Sequence, residues 1–149
     1  MPTFDHHNSP RWRLFNAVAT ALEGATALQG VTILRNPRTA PQIAHGQKAV
    51  LLRWQSDALV ERVGTGERRA FMLIAAGIVA GGAEAEREAD ALQQVVIATL
   101  RGIVPVLNAL TGVKEVLIAE EGTAPDLENA PIDVGLVAST YKVTYRTTP

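Results

Sequence analysis

The chain has 149 residues, of which 14 are basic and 15 acidic, so its formal net charge is −1. A hydrophobic content of 47% is typical of one folded domain with a core and excludes a disordered chain. The charge balance excludes a global attraction to nucleic acid or to an anionic membrane. The lack of cysteine excludes disulfides and thiolate zinc sites in this chain.

The N-terminal third predicts one helix and one short strand. We expect residues 1–8 to form a flexible tail. Ser9 and Pro10 suit the cap and first position of a helix that ends by Gly30. Val31–Leu34 predicts a strand, and residues 35–47, with two prolines and a glycine, predict a long loop. The first residues lack the layout of a signal peptide, so we expect a cytoplasmic product.

The middle of the chain predicts three strands. The first covers Lys48–Gln55, a turn follows at Ser56-Asp57, and the second covers Ala58–Val63. Residues 64–67, Gly-Thr-Gly-Glu, predict a tight hairpin turn. The third strand, Arg68–Val79, is apolar on both faces, so we expect it to be covered on both sides.

A long helix follows this strand. Gly81-Gly82 supplies the freedom for a reversal, and from Ala83 to Leu110 apolar residues recur at three- and four-residue steps. Pro105 predicts a kink or break near Arg101–Val104. We expect no apolar run long or clean enough to span a bilayer.

The C-terminal part predicts two strands and a loop. Val113–Ala119 is the first strand, Glu120–Pro131 an acidic loop with prolines, and Asp133–Thr147 a half-exposed antiparallel strand. The expected fold is therefore α+β: a single domain, residues 1–149, with an antiparallel or mixed sheet of about five to six strands and two main helices packed on it.

Three groups of residues could form a metal, phosphate or catalytic site, but a structural interpretation without ligand or reaction is favoured for each. Asp5, His6 and His7 could belong to a metal site, but adjacent side chains diverge, so a mobile polar tail is favoured. Gly81-Gly82 precedes a helix, where phosphate can bind, yet P-loop and dinucleotide spacings are missing and a plain turn is favoured. The acidic loop, Glu120–Pro131, could hold paired catalytic acids, but a solvated loop is favoured. We expect no catalytic, cofactor or metal site.

Basic residues gather around the first predicted loop: Arg35, Arg38, Lys48 and Arg53. They could touch nucleic acid phosphates, but a protein-interface or solvated role is favoured because the chain is balanced in charge and few aromatics are interleaved. A basic loop and an acidic loop in one chain also suit a ring whose subunits each offer both signs to their neighbours. Charge reversal at Arg38 tests this idea through assembly and its salt response.

Five segments carry a family resemblance through their order. They read RWRLFNAVATALE (11–23), VTILRNPR (31–38), AVLLRW (49–54), RRAFMLIAAGIV (68–79) and VGLVASTYKVTYRT (134–147). With the acidic start of the long helix, this layout resembles the tail terminator (tail completion) proteins of long-tailed bacteriophages and the related proteins of gene transfer agents. The similarity covers nearly the full chain and lies in pattern and order.

The resemblance implies a structural virion protein of the tail or neck, assembled in the host cytoplasm and without catalysis or cofactor. It implies a homo-oligomeric ring, expected to be a hexamer, that caps the tail-tube protein, stops tube growth and offers a surface to the head connector. DNA would only pass through the lumen, and no membrane would be involved. Candidate residues of the ring or partner interfaces are Arg35, Arg38, His45, Lys48, Arg53, Gly64, Glu67, Arg68, Glu121, Asp126 and Glu128.

Other functions stay open at this point. The chain could be a different neck, head-tail joining or minor tail subunit. It could also be a ligand-binding α+β domain with a pocket between helix and sheet. An enzyme using the loop from Glu120 to Glu128 is a third alternative, testable by Glu121→Gln, but no nucleophile and base stand together in the sequence.

Overall fold

The computed structural model describes residues 9–36, 44–125 and 134–147. The first helix, α1, covers Pro10–Gly24. Ser9 caps it, its Oγ accepting a hydrogen bond from the Trp12 amide at 3.5 Å, and Pro10 occupies its first turn. The predicted helix start is confirmed. The helix ends at Gly24 and a short 3-10 turn, Thr26–Leu28, leads out of it.

Five strands form one mixed sheet: β1 Thr32–Arg35, β2 Lys48–Val63, β3 Gly66–Ala80, β4 Val113–Pro125 and β5 Val134–Thr147. Their spatial order is β1-β2-β3-β5-β4. The β1–β2 pair is parallel and the other three pairs are antiparallel. The predicted fold class, a mixed sheet of about five strands with two main helices in one domain, is confirmed.

The long helix is broken where proline predicts it. Helix α2 covers Ala85–Gly102 and helix α3 covers Val104–Asn108. Ile103 separates them and Pro105 lies in the first turn of α3, where its missing amide costs nothing. Before α2, Gly81 and Gly82 have φ angles of +87° and +99°, so the predicted reversal at these glycines is confirmed.

By length and composition alone, the helical stretch Ala85–Asn108 could cross a membrane, with a mean hydropathy of 1.3. The expectation that no such run exists is wrong by this criterion. Only 39% of the most apolar part of this stretch is buried. The buried side chains of α2 pack on β3 and β5. The same apolar content that resembles a membrane span thus serves in part as core.

Strand β2 corrects one prediction. Ser56-Asp57 is not a turn, because β2 runs without interruption from Lys48 to Val63. Its pairing with β3 shifts by one residue between Trp54 and Ser56 and again between Leu59 and Glu61. A β-bulge at each shift adds an unpaired residue, which changes the face that the following side chains occupy.

Strand β4 corrects a second prediction, the acidic loop. The predicted loop Glu120–Pro131 is wrong in its first half, since β4 continues to Pro125 and pairs with β5 up to Val137. Residues 126–131 lie outside the described residues. The acidic residues Glu120 and Glu121 therefore belong to a sheet edge, and they are exposed there.

All three helices lie on one side of the sheet, which we call the inner face. Its core includes Leu52 of β2, Phe71 and Leu73 of β3 and Val143 of β5, all fully buried with α1 and α2 side chains. No described helix lies on the opposite side, the outer face. The expectation that β3 is covered on both sides is met at the inner face. On the outer face no described helix covers β3, although Ala76, Ile78 and Ala80 are buried there, at 5%, 4% and 3% exposure.

The two ends of the sheet differ in their connections. At one end, the hairpin end, β2 turns into β3 through Gly64 and Thr65, and β5 terminates at Thr147. At the other, the loop end, lie the start of β2, the end of β3 and the two strand ends, Pro125 and Val134, that flank the β4–β5 connection. Strand β1, parallel to β2, ends at Arg35 beside Leu52, so the β1–β2 connection begins away from the loop end at which β2 starts.

Candidate functional site

The predicted basic group around the first loop is wrong as a group. Arg35 and Arg53 lie on adjacent strands but face opposite sides, because Arg35 pairs with Leu52, the neighbour of Arg53. Arg53 is exposed on the outer face, and Lys48 lies at the loop end. Arg38 lies outside the described residues, as do Asp126, Glu128 and the Asp5, His6 and His7 triplet.

The Arg35 side chain ties β1 to α1. Its Nε and Nη2 donate to one carboxylate oxygen of Glu23 at 3.0 and 2.8 Å. Its Nη1 donates to Asn16 Oδ1 at 3.1 Å, and Nη2 also reaches Thr20 Oγ1 at 3.4 Å. These bonds place Arg35 in a local structural role and not at an open interface.

The Arg35→Ala variant should lose little stability, because both members of the ion pair are partly exposed to solvent. We expect the free energy of unfolding to fall by about 1 kcal/mol, from the ion pair and its neutral hydrogen bonds together. Urea denaturation measures it. Arg53→Ala is the matched control, since Arg53 has no ion pair among the described residues, and it should change stability by less. Equal losses in the two variants would contradict the structural role of Arg35.

The hairpin residues among the candidates are engaged in ion pairs. Glu67 accepts from Arg69 Nη1 at 2.8 Å on the inner face. On the outer face Arg68 pairs with Glu61 and, at 3.5 Å, with Glu115. Gly64, with φ of +63°, forms the turn between the strands. The charges of Glu67 and Arg68 are thus compensated within one chain.

The two remaining described candidates lie far from these. His45 packs its imidazole ring on Gly81 at the loop end, where an added Cβ would lie 2.3 Å from the ring. Glu121 lies at a register shift of β4, beside an open concavity of about 560 Å³ that also includes Thr123, Ala138 and Thr140. The structure therefore does not bring the eight described candidates into one site.

A cluster that the sequence did not predict surrounds Asp57. Three donors converge on its Oδ2: Arg11 Nη1 at 2.8 Å, Arg69 Nε at 3.3 Å and Tyr145 Oη at 3.1 Å. The Asp57 side chain is only 3% exposed. The cluster joins α1, β2, β3 and β5 at the inner face, and the bulge before Ser56 is what turns Asp57 inward.

The other oxygen of Asp57, Oδ1, is buried and has no partner among the described residues. The cluster borders a cleft of about 360 Å³ lined by Ser9, Pro10, Arg11, Glu67, Arg69, Thr147 and the cluster's other members. The Arg11 guanidinium also lies over the Trp54 ring, 4.6 Å from its centroid. Two carboxylates and two guanidiniums make the cleft neutral overall, so it suits a hydrogen-bond donor better than a strong ion.

Burial, then the neighbouring Asp57 carboxylate, raises the pKa of Tyr145 from 10.0 to about 12. The pKa of Arg69 is raised too, first by its hydrogen bond to Glu67 and further by Asp57. In this cluster Tyr145 therefore acts as a neutral donor to a carboxylate that two guanidiniums already neutralise.

This shift predicts a stability change at high pH. Because the phenol pKa is higher in the folded than in the unfolded chain, the folded protein holds its proton more tightly. The contribution of the protonated Tyr145 hydroxyl to the free energy of unfolding is fully present below pH 10 and is lost as the pH rises from about 10 to about 12. Urea unfolding across this range should show the loss, and the Tyr145→Phe variant should show a smaller one. Equal pH dependence in both proteins would contradict the prediction.

A second buried polar group connects α2 to the sheet. Gln93 is fully buried, and its Nε2 donates to Ala75 O and to Tyr141 Oη, both at 3.2 Å. Burial raises the pKa of Tyr141, while hydrogen bonds from Ser139 and Gln93 lower it. Ser139 in turn bonds Thr123 at 2.6 Å. This chain of bonds fixes the position of α2 across β3 and β5, and it ends at Thr123, on the edge of the open concavity beside Glu121.

No group of three or more histidine, aspartate or glutamate side chains with metal-site geometry occurs among the described residues. No protein-family model matches the chain, and no curated protein matches it.

Proposed function

We propose that this chain is a structural virion protein, a tail terminator that assembles as a hexameric ring. The ring caps the tail tube, stops its polymerisation and forms the surface to which the head connector binds. In this proposal the chain performs no reaction and needs no cofactor. It assembles in the host cytoplasm, and DNA meets it only by passing through the lumen.

The observation that carries the proposal is the difference between the two ends of the sheet. A subunit that ends a polymer must match the tube at one face and differ from it at the other. Here one end carries the tight β2–β3 hairpin, and at the other β2 begins and β4 and β5 have the ends, Pro125 and Val134, that flank their connection. Near the hairpin end, Leu59 and Val60 are 45% and 55% exposed, an apolar surface that a partner could cover.

The experiment is deletion of this gene from the genome that carries it, followed by electron microscopy of the particles. We expect tails of uncontrolled, greater length that lack heads, because nothing ends the tube and nothing joins it to a connector. Complementation with the unaltered gene is the control and should restore length and heads. Particles with heads on tails of normal length would contradict the proposal.

A different neck or head-tail joining subunit is distinguished by the same experiment. Its deletion would leave tails of normal length without heads, because tube growth would still end correctly. Tail length therefore reports on termination, and head attachment reports on joining. Only an effect on both supports the terminator.

The Asp57 cleft favours one further candidate, a ligand-binding α+β domain. The polar side chains that line the cleft between α1 and the sheet could hydrogen-bond an alcohol or amine seated in it. Ligand-observed NMR with small alcohols and amines tests it, with Tyr145→Phe as the comparison. Binding that the substitution weakens would favour this function, and no binding would exclude it for these two ligand classes.

A further inference from the structure

The outer face of the sheet carries a contiguous apolar surface, which we call the outer patch. It consists of large apolar side chains from four adjacent strands, with alanines between them: Leu34, Leu51, Met72, Ile74 and Leu136. These side chains are half-buried, although no described helix packs on them. Ile78, which pairs with Leu136, is already buried within the chain at 4% exposure and is not part of the patch. Polar residues are usual on a solvent-facing sheet surface, so this composition indicates a covered one.

The outer patch is large enough to form the centre of an interface. It spans four strands and about seven residues along β3, roughly 14 Å by 20 Å from standard strand spacings. That is about 300 Å² of projected area, as large as the main apolar patch on many monomers. A stable interface takes about 800 Å² from each partner, so a surrounding polar rim must supply the rest.

The helical layer also leaves an apolar surface uncovered on the opposite side of the domain. After Asp90 the exposed positions of α2 and α3 carry only one charge, on Arg101, and two uncharged polar side chains, Gln94 and Asn108; the rest are small or apolar. We call these the helix ridge: Ala91, Gln94, Ala98, Gly102 and Val106, the last 58% exposed. Because these positions are exposed, only 39% of the most apolar part of Ala85–Asn108 is buried. The ridge is smooth enough for close approach to a sheet.

The borders of the two surfaces have opposite charge. Arg53 and Lys142 flank the outer patch, next to Ile74 and Met72 in the strand register. Both are exposed and neither has an ion pair among the described residues. The start of α2 carries four carboxylates against the single guanidinium of Arg87, and Glu86, Glu88 and Asp90 likewise have no ion pair there. Opposite signs at matching borders favour association and set its direction.

We propose that the outer patch is covered by the helix ridge of a second copy of this chain. The sheet of each subunit would then have helices on both faces, its own on the inner face and its neighbour's on the outer face. This accounts for the apolar outer side of β3, which the chain's described residues leave without a helix. The inference deepens the proposed function, and rests on it only in that copies of the chain associate.

An interface of this kind is head-to-tail, because it joins two different surfaces of one subunit. Such contacts propagate from copy to copy and close into a ring where the rotation between copies allows it. A two-fold dimer would instead use the same patch twice. The proposal therefore makes a prediction about which combinations of damaged subunits can still associate.

The experiment uses two variants, each damaged on one surface. Ile74→Glu places a carboxylate in the outer patch, where the cross-strand neighbour Arg53 supports its folding. Ala98→Glu places one on the helix ridge, at an exposed position of α2 that tolerates glutamate. Each variant alone should be monomeric under conditions where the unaltered chain forms rings, with association weakened by roughly a hundredfold or more, since a charged carboxylate would be buried in an apolar contact.

A mixture of equal amounts of the two variants is the decisive sample. The intact ridge of the Ile74→Glu chain can bind the intact patch of the Ala98→Glu chain, but the other surfaces of this pair are both damaged. We expect dimers and nothing larger by light scattering coupled to size exclusion. Assembly of the mixture into rings, or no association in it, would overturn the proposal, as would an unaltered chain that stays monomeric.

Ala27→Glu is the matched control, because Ala27 is an exposed alanine in the 3-10 turn after α1, outside both surfaces. It should leave ring mass unchanged. Circular dichroism checks that each variant is folded, and Ala91→Glu replaces Ala98→Glu if the latter is not. Ring mass tests the surfaces and tail length tests termination, so rings that form without any effect on tails would contradict only the proposed function.

Discussion

Replacing Asp57 with alanine should lower the free energy of unfolding by about 3 kcal/mol, since breaking a buried ion pair from one side typically costs that much. The substitution leaves three donors without their shared acceptor: Arg11, Arg69 and the Tyr145 hydroxyl. Tyr145 is 2% exposed, so its hydroxyl cannot turn to bulk water. Arg11 and Arg69 are about one-quarter to one-third exposed and recover part of their hydration, which limits the loss.

Two neighbouring substitutions separate the causes. Ser56→Ala, one residue away and exposed, should leave the free energy of unfolding within about 0.5 kcal/mol of the unaltered chain. Asp57→Asn keeps an acceptor but removes the charge, so we expect an intermediate loss. Chemical denaturation of the three variants measures the series. If Asp57→Ala matched Ser56→Ala, the cluster would contribute nothing to stability.

The architecture was predictable where one local cause decides it. The cap at Ser9, the reversal at Gly81 and the helix break before Pro105 each follow from one residue's backbone chemistry, and each is present. The alternation along β5 also predicts its buried side correctly, with Val137, Tyr141, Val143 and Tyr145 inside. For these elements, the hydrophobic periodicity and the glycine, proline and capping residues at the boundaries were sufficient.

The Asp57 cluster was not predictable, because a bulge depends on the partner strand. In the sequence, Ser56-Asp57 is indistinguishable from a turn, and only pairing with β3 keeps this stretch extended. One signal was available: Trp54 and Leu59 are both on the inner face but five residues apart, an odd interval that a regular strand does not allow without a bulge. Read that way, the same residues predict a continuous strand with Asp57 turned inward.

The predicted basic group around the first loop is divided by the sheet for a related reason, and whether its members contact a partner stays a prediction. Arg35 and Arg53 are near each other in sequence and in the sheet, but strand pairing sends their side chains to opposite faces. Because these residues are close in the sequence, a shared basic surface was predicted. Successive residues of a strand point to opposite faces, so the side chains are divided between the two faces of the sheet. The apolar outer side of β3 was visible in the sequence, and what the structure adds is that no described helix of its own chain lies over it.

Replacing Gly135 with alanine should be strongly destabilising, with a loss of about 3 kcal/mol or more in the free energy of unfolding from overpacking. Gly135 lies near the start of β5, directly under the first turn of α2. A Cβ there would lie 2.1 Å from the Ala85 carbonyl oxygen and 2.5 Å from the Glu86 amide nitrogen. Both atoms are backbone, so no side chain can rotate away and the helix itself must move off the sheet.

Gly122→Ala is the matched control, because Gly122 lies in the adjacent strand β4 and an added Cβ there would meet nothing within 4 Å. Thermal and urea unfolding should show little change in this variant and a large loss in Gly135→Ala. Where the Gly135 variant still folds, its displaced α2 should also loosen the Gln93 hydrogen bonds to Ala75 and Tyr141, and faster amide exchange in α2 would report this. Equal stability of the two variants would mean that α2 is not held against β5 at this point.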